Sequence, residues 1–327
     1  MRIKGSVVVV TGASSGIGRA TALKFAGEGA TVALTARRPA ALQEVAAECE
    51  GSGATAFPVP ADITDEKAVQ EVADSVAERF GRIDVWVNCA AVTAFAPFEE
   101  IPLSDFRRIF EVNIMGYVHG ARAALPHLRD QGKGVLINVS SIVSSVPQPY
   151  THAYSMSKAA VRVLGASLRQ ELRLDGATGV KVCTVLPATI DTPFFEHAAN
   201  YTGRKAKAMP PVYSAERVAR TVVGLVRVPR REVIVGPMGR NLVMQAKMAP
   251  GLTERVMAIQ VDRSHLYRSR PAAATDGNLF QPAAGTGSVS GGWHGRRRTA
   301  VRRAASAALV SGAIFLVRRS ARTRAAE

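Results

Sequence analysis

A short apolar run that leads directly into a glycine-rich turn places the strongest constraint on the fold of this chain. Residues 7–10 are four consecutive valines, and such a β-branched run is typical of a buried parallel strand. It is followed by Thr11-Gly12-Ala13-Ser14-Ser15-Gly16-Ile17-Gly18 and then by a helical pattern over residues 19–28. Glycines let the backbone turn sharply and approach a phosphate, and the first N–H groups of a helix attract an anion. The stretch therefore predicts a phosphate-binding loop, with an ordinary strand-to-helix turn as the alternative.

Strands and helices alternate along most of the chain after this turn. The predicted strands are 7–10, 31–36, 55–59, 84–88, Gly134–Val139, 180–186 and Glu232–Val235, and the predicted helices are 19–28, 42–49, Glu66–Phe80, 104–129, His152–Leu174 and 214–226. This alternation predicts an α/β domain over residues 1–236, built as a doubly wound parallel sheet with helices on both faces. Ligands of such sheets bind at the carboxyl ends of the strands.

The composition changes beyond residue 236. Two helical segments, 240–249 and 252–263, are separated by Pro250-Gly251 and form a predicted C-terminal helical extension over 237–268. Residues 269–295 are rich in Ala, Gly, Ser and Pro, which favours a flexible linker. Residues 296–327 are predicted to be a basic tail that contains a short apolar helix.

Half of the net positive charge is concentrated in this tail. The formal net charge is +16, and residues 294–327 carry nine arginines and one glutamate, or +8. Basic tails bind anionic lipid or nucleic acid, or are simply solvated. The apolar segment 304–317 would rise about 21 Å as a helix, short of the ~30 Å hydrocarbon core. Membrane association and an interaction or oligomerisation helix both stay open, whereas nucleic acid is disfavoured because Trp293 and Phe315 are the aromatics nearest the arginines.

The cysteines and histidines show no metal-ligand spacing. Cys49, Cys89 and Cys183 lie in apolar or helical surroundings, which favours free thiols in a reducing compartment over a disulfide framework. The valine run is too short for a signal-peptide core and lacks a small-residue cleavage site. These features predict a cytoplasmic protein without a bound metal, and leave the tail as the segment through which it could associate with a membrane.

A serine, a tyrosine and a lysine are spaced as in a proton-transfer site. Ser141 follows the strand Gly134–Val139, Tyr154 comes thirteen residues later, and Lys158 four residues after that. Residues four apart share one face of a helix, so the tyrosine and the lysine can point into one site. An ammonium near a phenol favours the phenolate and lowers its pKa towards working pH. Tyr154 is therefore a candidate proton donor and acceptor, although this spacing also fits a surface helix.

The end of the second strand indicates the cofactor. A site for NAD has an acid there, which binds the adenine ribose hydroxyls, but residues 31–39 contain no acid. Arg37 offers instead a forked guanidinium suited to the 2′-phosphate of NADP. The alternative is that Arg37 and Arg38 are a solvated pair at the sheet edge.

Asp62 and Asn113 are polar residues at positions that need an explanation. Asp62 precedes the helix Glu66–Phe80 and either caps it or accepts a hydrogen bond from the adenine amino group. Asn113 lies in the middle of the helix predicted over 104–129, which begins with a cap-like Ser104. An interior Asn is unfavourable unless its amide is used. We therefore expect the Asn113 side chain to have a specific partner.

Together these motifs resemble the short-chain dehydrogenase/reductase family, the single-domain Rossmann type. The matching pieces occur in the family's order: the turn from Thr11 to Gly18, Asp62, Asn88-Cys89-Ala90-Ala91, Asn113, Ser141, Tyr154 with Lys158, and Pro187 through to Thr192. Cys89 and Ala91 stand where the family often has Asn and Gly, and Ala188 replaces a common Gly. These residues are small, so we expect altered packing and retained activity.

The resemblance implies an NADP(H)-dependent oxidoreductase that transfers a hydride between the nicotinamide and a carbonyl or alcohol. Ser141 would hold the substrate carbonyl, and Tyr154 would pass the proton. Lys158 would bind the nicotinamide ribose and lower the tyrosine pKa, while Asn113 would hold a water of the proton relay. The implied cofactor contacts are Gly12, Ser14, Ser15, Gly16, Ile17, Gly18, Arg37, Asp62, Ile63, Asn88, Ala90, Tyr154, Lys158, Pro187, Ile190 and Thr192. NADP is expected over NAD, and a homo-oligomer is expected as the assembly.

Substrate specificity is expected in the stretches 92–98, 142–153 and 194–212. The first two are largely apolar, with Phe95 and Tyr150 among their residues, which predicts a hydrophobic substrate. Packing within the protein or against a neighbouring subunit is the alternative. The third stretch carries several cations and is predicted to be a mobile lid. A non-catalytic dinucleotide sensor or scaffold, tethered by the tail, is the alternative function, but it would not need the tyrosine and the lysine.

Overall fold

Strands and helices alternate in the structure largely as the sequence predicts. The computed structural model describes residues 1–284 and 287–294. Within them the strands are β1 (Val7–Thr11), β2 (Thr31–Thr35), β3 (Ala56–Pro58), β4 (Val85–Asn88), β5 (Ala94–Phe95), β6 (Gly134–Val139), β7 (Val180–Pro187), β8 (Ile190–Asp191), β9 (Ala199–Asn200), β10 (Arg204–Ala206), β11 (Tyr213–Ser214), β12 (Glu232–Val235) and β13 (Leu266–Pro271). The α-helices are α1 (Gly16–Ala26), α2 (Pro39–Gly51), α3 (Glu66–Phe80), α4 (Leu103–Phe110), α5 (Gly116–Asp130), α6 (His152–Leu174), α7 (Ala215–Arg227), α8 (Pro237–Met248) and α9 (Pro250–Ser264).

A parallel sheet of seven strands forms the centre of the fold, in the order β12-β7-β6-β4-β1-β2-β3. The chain moves outward from β1 through β2 to β3 and then returns to add β4 on the other side of β1. The strand order therefore reverses between β1 and β4. Open α/β sheets bind ligands in the crevice outside the carboxyl ends of the strands at such a point. The predicted fold class, a doubly wound Rossmann-type sheet, is confirmed.

Helices cover both faces of this sheet. In β1, Val8 and Val10 belong to a hydrophobic cluster with side chains of α1, α2 and α7. Val7 and Val9 belong to a second cluster, on the opposite face, with side chains of α3, α5 and α6. These four valines are 5% exposed or less. Because the strand is buried on both faces, each of these positions requires an apolar residue, which explains the uninterrupted valine run.

The helix predicted over 104–129 is interrupted in the structure. α4 starts after Pro102, so Ser104 lies within its first turn and is not the cap. Between α4 and α5 the backbone widens into a π-helical turn, Glu111–Met115, which contains Asn113. Single π-helical turns within α-helices frequently mark functional sites.

The C-terminal extension is helical, as predicted, and its two helices meet at Ala249 and Pro250. After α9 the chain forms β13, which pairs antiparallel with β10. The following residues bond to the main domain: Asn200 N–H donates to Thr275 O at 2.8 Å, and Ala272 N–H to Gly203 O at 3.0 Å. Where the sequence predicts a flexible linker over 269–295, backbone groups of Ala272 and Thr275 are thus hydrogen-bonded to the domain.

Short strands also fix the segment predicted as a lid over 194–212. β9 pairs with β5, β10 pairs with β13, and β11 pairs with β8. Within this segment, Ala206 and Ala208 are buried. The tail predicted at 296–327 lies outside the described residues. Among the residues that are described, no helix has the length and apolar character needed to cross a bilayer.

Candidate active site

The turn between β1 and α1 is a tight loop against the carboxyl end of β4. Gly12 has a φ of +68°, and a Cβ at this position would lie 2.7 Å from the Cα of Ala90, so a side chain does not fit. Thr11 Oγ1 accepts a hydrogen bond from the backbone N–H of Cys89 at 3.0 Å. These contacts set the start of α1, at Gly16, beside the end of β4. A helix N-terminus in this position attracts an anionic group.

One continuous cleft connects the glycine loop with the serine, the tyrosine and the lysine. Most of the predicted site residues line it, namely Gly12, Ser14, Ser15, Gly16, Ile17, Gly18, Arg37, Asp62, Ile63, Ala90, Ser141, Tyr154, Lys158, Pro187, Ile190 and Thr192. They come from the carboxyl ends of the central strands and from α1 and α6. Asn88 and Asn113 lie behind the wall of the cleft, at 1% and 0% exposure.

Lys158 is held by groups other than Tyr154. Its Nζ donates hydrogen bonds to Tyr117 Oη at 3.1 Å and to Val139 O at 3.0 Å. The same Nζ lies 5.7 Å from the centre of the Tyr154 ring and 4.6 Å from the centre of the Tyr117 ring. An aromatic face and a phenol oxygen both stabilise an ammonium. Lys158 and Tyr154 thus share a helix face, as predicted, and Tyr117 is an additional partner of the lysine.

The side chain of Ser141 is fixed at the carboxyl end of β6. Its Oγ accepts a hydrogen bond from the Val143 N–H at 3.3 Å and lies 3.5 Å from Pro187 O. Burial raises the pKa of Tyr154 above its usual value, and the hydrogen bond with Ser141 acts in the opposite direction. Burial also lowers the pKa of Lys158, to about 7.

The expectation that Lys158 lowers the pKa of Tyr154 is therefore wrong for this structure. Removing a phenolate from water raises the phenol pKa, and this effect outweighs any attraction from an ammonium whose protons are directed at Tyr117 and Val139. The lysine itself loses part of its charge near neutral pH, because its own desolvation favours the neutral amine.

The low pKa of Lys158 predicts that the free energy of unfolding rises with pH between about 7 and 10. The unfolded chain has an ordinary lysine pKa of about 10.4, so in this window it binds more protons than the folded protein. Raising the pH from about 7.5 to about 9.5 should therefore add about 2 kcal/mol of stability through this residue. Urea unfolding of the protein and of Lys158→Met at both pH values measures this contribution. The same pH dependence in both proteins would contradict the low pKa.

Asn113 fastens the π-helical turn to two neighbouring segments. Its Oδ1 accepts from the Val92 N–H at 2.9 Å, and its Nδ2 donates to Val92 O at 2.9 Å and to Ser157 Oγ at 3.0 Å. These bonds use both amide hydrogens, which explains an asparagine inside a helical segment. The implied role in holding a relay water stays a prediction.

Asn88 connects β4 to the elements beside it. Its Nδ2 donates to Asn138 Oδ1 at 3.0 Å and to Tyr117 O at 3.2 Å, and its Oδ1 accepts from Trp86 Nε1 at 2.8 Å. The side chain thus differs from the predicted cofactor contact. It supports the backbone of Tyr117, the residue that binds Lys158.

Asp62 lies beyond the end of β3 and does not cap α3. The cap is Asp65, which accepts from the N–H groups of Lys67 and Ala68. Asp62 accepts from Thr64 N–H at 3.0 Å and from Arg108 Nη2 at 3.0 Å. Although burial alone would raise the pKa of Asp62, these hydrogen bonds lower it. The interpretation of Asp62 as a helix cap is therefore excluded. Its carboxylate lies on the wall of the cleft, where the other interpretation, an acceptor for the adenine amino group, stays a prediction.

Several residues that line the cleft or lie behind it do not follow from the sequence. Tyr117 lies four residues after Asn113, and this helical spacing is the signal in the sequence that could have placed it near the site. His265 reaches the cleft from the end of α9, and Asn278, Pro282 and Ala283 reach it from the segment that follows. Their distance in sequence from the glycine loop leaves no local pattern that would place them there.

Comparison with known proteins identifies the family of this chain. Residues 6–232 match the profile of the short chain dehydrogenase family. The chain belongs to this family. It is 36% identical over 258 residues to the uncharacterised oxidoreductase YxnA of Bacillus subtilis, a match that covers 78% of this chain and 72% of that protein.

Two solved structures resemble this short-chain dehydrogenase over most of their length. One is a short chain dehydrogenase/reductase from Burkholderia phymatum in complex with NAD, with a TM-score of 0.70 and 26% identity, covering 78% of this chain and 97% of that one. The other is an alcohol dehydrogenase from the archaeon Thermococcus sibiricus complexed with 5-hydroxy-NADP, with a TM-score of 0.62 and 29% identity, covering 71% and 96%. The neighbours of this dehydrogenase thus include an NAD and an NADP-type complex.

The residues of the cleft fit NAD(P), the cofactor of the family. A glycine loop in which a Cβ would meet Ala90 leaves its backbone close to a bound phosphate. Lys158 and Arg37 line the same cleft, and both side chains carry N–H donors suited to the oxygens of a dinucleotide. The cleft of the dehydrogenase thus brings the glycine loop, Arg37 and Lys158 to one continuous surface.

Proposed function

We propose that the protein is an NADP(H)-dependent oxidoreductase that interconverts a hydrophobic carbonyl compound and its alcohol, with Tyr154 as general acid and base. The observation that carries this proposal is that Ser141, Tyr154 and Lys158 line the same cleft as the glycine loop. A protein that only senses the dinucleotide needs the loop, but it has no use for a buried phenol beside a serine.

In the direction of reduction, side chains of the protein hold the carbonyl oxygen and protonate it. When bound, the nicotinamide supplies the hydride for the carbonyl carbon. Ser141 Oγ donates a hydrogen bond to the carbonyl oxygen, and Tyr154 Oη delivers a proton to that oxygen, which yields the alcohol. Lys158 binds the nicotinamide ribose through the N–H groups of its Nζ. In the direction of oxidation Tyr154 accepts the proton instead.

The preference for NADP is supported by the charges around Arg37. Burial lowers the pKa of this guanidinium, Asp62 opposes the effect, and the neighbouring cations Arg108 and Arg38 lower it further. Like charges held this close repel one another, and a phosphate dianion relieves that repulsion. An adenine ribose with a free 2′-hydroxyl offers no such compensation.

A hydrophobic substrate is supported by the aromatic residues near Tyr154. The ring of Phe194 lies 5.4 Å from that of Tyr154, and the His265 ring lies 5.7 Å from Phe195 and 5.6 Å from Phe95. Burial lowers the pKa of His265 to about 4, so this side chain is uncharged at neutral pH. The aromatic side chains near the tyrosine therefore present an apolar surface that carries no charge of its own, which favours a carbonyl compound without charge.

The experiment that tests this function follows NADPH absorbance in the presence of hydrophobic ketones, aldehydes and quinones. We expect consumption of NADPH that depends on one of these carbonyl classes and stops when the carbonyl is omitted. Tight NADPH binding without turnover on any of these compounds would overturn the catalytic proposal and favour the sensor.

We propose that the tail attaches the protein to membranes on their cytoplasmic side. The observations are the arginines at 296–303 and 318–324 around an apolar stretch, together with the free thiols of Cys49, Cys89 and Cys183. Truncation after His294 should move the protein from a membrane pellet to the supernatant and leave turnover of a small substrate nearly unchanged. Attachment by arginines alone is released by high salt, whereas an inserted apolar helix resists it. Full-length protein that stays in the supernatant at low salt would contradict membrane attachment.

A further inference from the structure

The segment that follows β13 runs along the open side of the cofactor cleft. We call residues 275–284 and 287–293 the strap. At one end, Arg37 donates hydrogen bonds to the backbone oxygens of Asn278 at 2.8 Å and Phe280 at 3.0 Å. Arg108 Nε donates to Leu279 O at 3.1 Å. The strap thus begins at the two arginines that stand at the adenosine end of the cleft.

The middle of the strap touches the phosphate-binding loop itself. Gly16 N–H donates to Ser288 O at 2.8 Å, and Arg19 donates to Gly287 O. The approach is close, since a Cβ at Gly287 would lie 1.9 Å from Ser14 O. Only a glycine permits this contact.

The last part of the strap is fixed beside the substrate end of the cleft. Asp191 accepts hydrogen bonds from Ser290 Oγ at 2.6 Å, from Gly291 N–H at 3.0 Å and from Trp293 N–H at 2.7 Å. The Trp293 side chain is 7% exposed, and its ring lies 6.1 Å from that of Phe195. A buried tryptophan and a carboxylate with three donors form a firm attachment.

The cleft remains beneath the strap. Asn278, Pro282 and Ala283 line the same cavity as Gly12, Asp62 and Lys158. We propose that the strap is the outer wall of the dinucleotide site and that it must open for the cofactor to enter or leave. This element lies beyond residues 6–232, which match the family. The inference rests on the proposed function only in taking the ligand of the cleft to be a nicotinamide dinucleotide.

The test measures rates of NADPH binding and release by stopped-flow fluorescence, with dissociation followed after excess NADP⁺ is added. Gly287→Ala places a methyl group against Ser14 O, and Gly291→Ala places one 2.3 Å from Thr192 O, so each variant forces the strap away from the cleft. We expect both rate constants to rise at least tenfold in each variant. Gly224→Ala is the matched control, because a Cβ at that position meets nothing within 4 Å, and its rates should equal those of the unmodified protein.

The outcomes separate a wall from other roles of the strap. Faster association with unchanged dissociation would show that the strap competes with NADPH. Unchanged rates in both variants would show that the strap is not on the path of the cofactor. Either result overturns the inference. If the glycine variants do not fold, Trp293→Ala frees the far end of the strap, and the same acceleration is expected. If the unmodified protein binds neither NADPH nor NADH, the proposed function is wrong. If it binds NADPH tightly but the glycine variants have unaltered rates, only the role of the strap as the outer wall is wrong.

Discussion

Tyr154→Phe is expected to lower turnover by a factor of about 10²–10⁴ and to leave NADPH affinity within a fewfold of that of the unmodified protein. The substitution removes the hydroxyl that delivers the proton and keeps the ring, which lies 5.4 Å from Phe194. General acid catalysis by a positioned side chain contributes a factor of this size. The measurements are kcat with a responsive carbonyl compound and NADPH Kd by fluorescence.

Tyr150→Phe is the matched control for this experiment. It also deletes a phenol hydroxyl, but the Tyr150 Oη bonds to Asp262 at 3.2 Å, on α9. Turnover close to normal is expected in this variant. If Tyr154→Phe also kept nearly normal turnover, another group would be the acid, and the proposed mechanism would be wrong.

Arg37→Asp is expected to abolish or invert the preference for NADPH over NADH. In the unmodified protein NADPH should bind more tightly by about 1.5–3 kcal/mol, or roughly 10- to 150-fold, which is the value of a charge-assisted contact to phosphate. An aspartate in its place repels the 2′-phosphate and accepts hydrogen bonds from ribose hydroxyls. Because Arg37 also binds the strap, the measured quantity is the ratio of the two dissociation constants, in which an effect on both cofactors cancels.

Arg107→Asp controls for the change in net charge, since Arg107 is an exposed residue of α4. Its ratio of NADPH to NADH affinity should match that of the unmodified protein. Equal affinities for the two cofactors before any substitution would contradict the assignment of Arg37.

The central sheet could be predicted because its signals are local. The valine run of β1, the β6 strand Gly134–Val139 and the helix His152–Leu174 each show their type in consecutive residues. The alternation of these elements then determines the layers, and the end of β6 and the start of α6 bring Ser141 and Tyr154 to one edge of the sheet. Composition and periodicity carry this kind of information.

The departures from the prediction depend on partners far away in sequence. The π-helical turn at Asn113 is stabilised by Ser157, which is forty-four residues further along the chain. The strap has the composition of a flexible linker, yet its carbonyls bond to Arg37 and Gly16. The pKa of Lys158 depends on burial, and the Tyr–Lys spacing says nothing about desolvation. Tertiary contacts of this kind produce no periodic pattern in the sequence.

The strap is covalently joined to the domain that it covers, through α9 and β13. Its return to the cleft is therefore unimolecular, and a short tether keeps its effective concentration at about the millimolar level or above, however dilute the protein becomes. The residence time of a dinucleotide behind the strap is then a property of the polypeptide and does not depend on the nucleotide level around it. Where the strap opens more slowly than the hydride is transferred, the rate of opening limits the rate of the whole catalytic cycle.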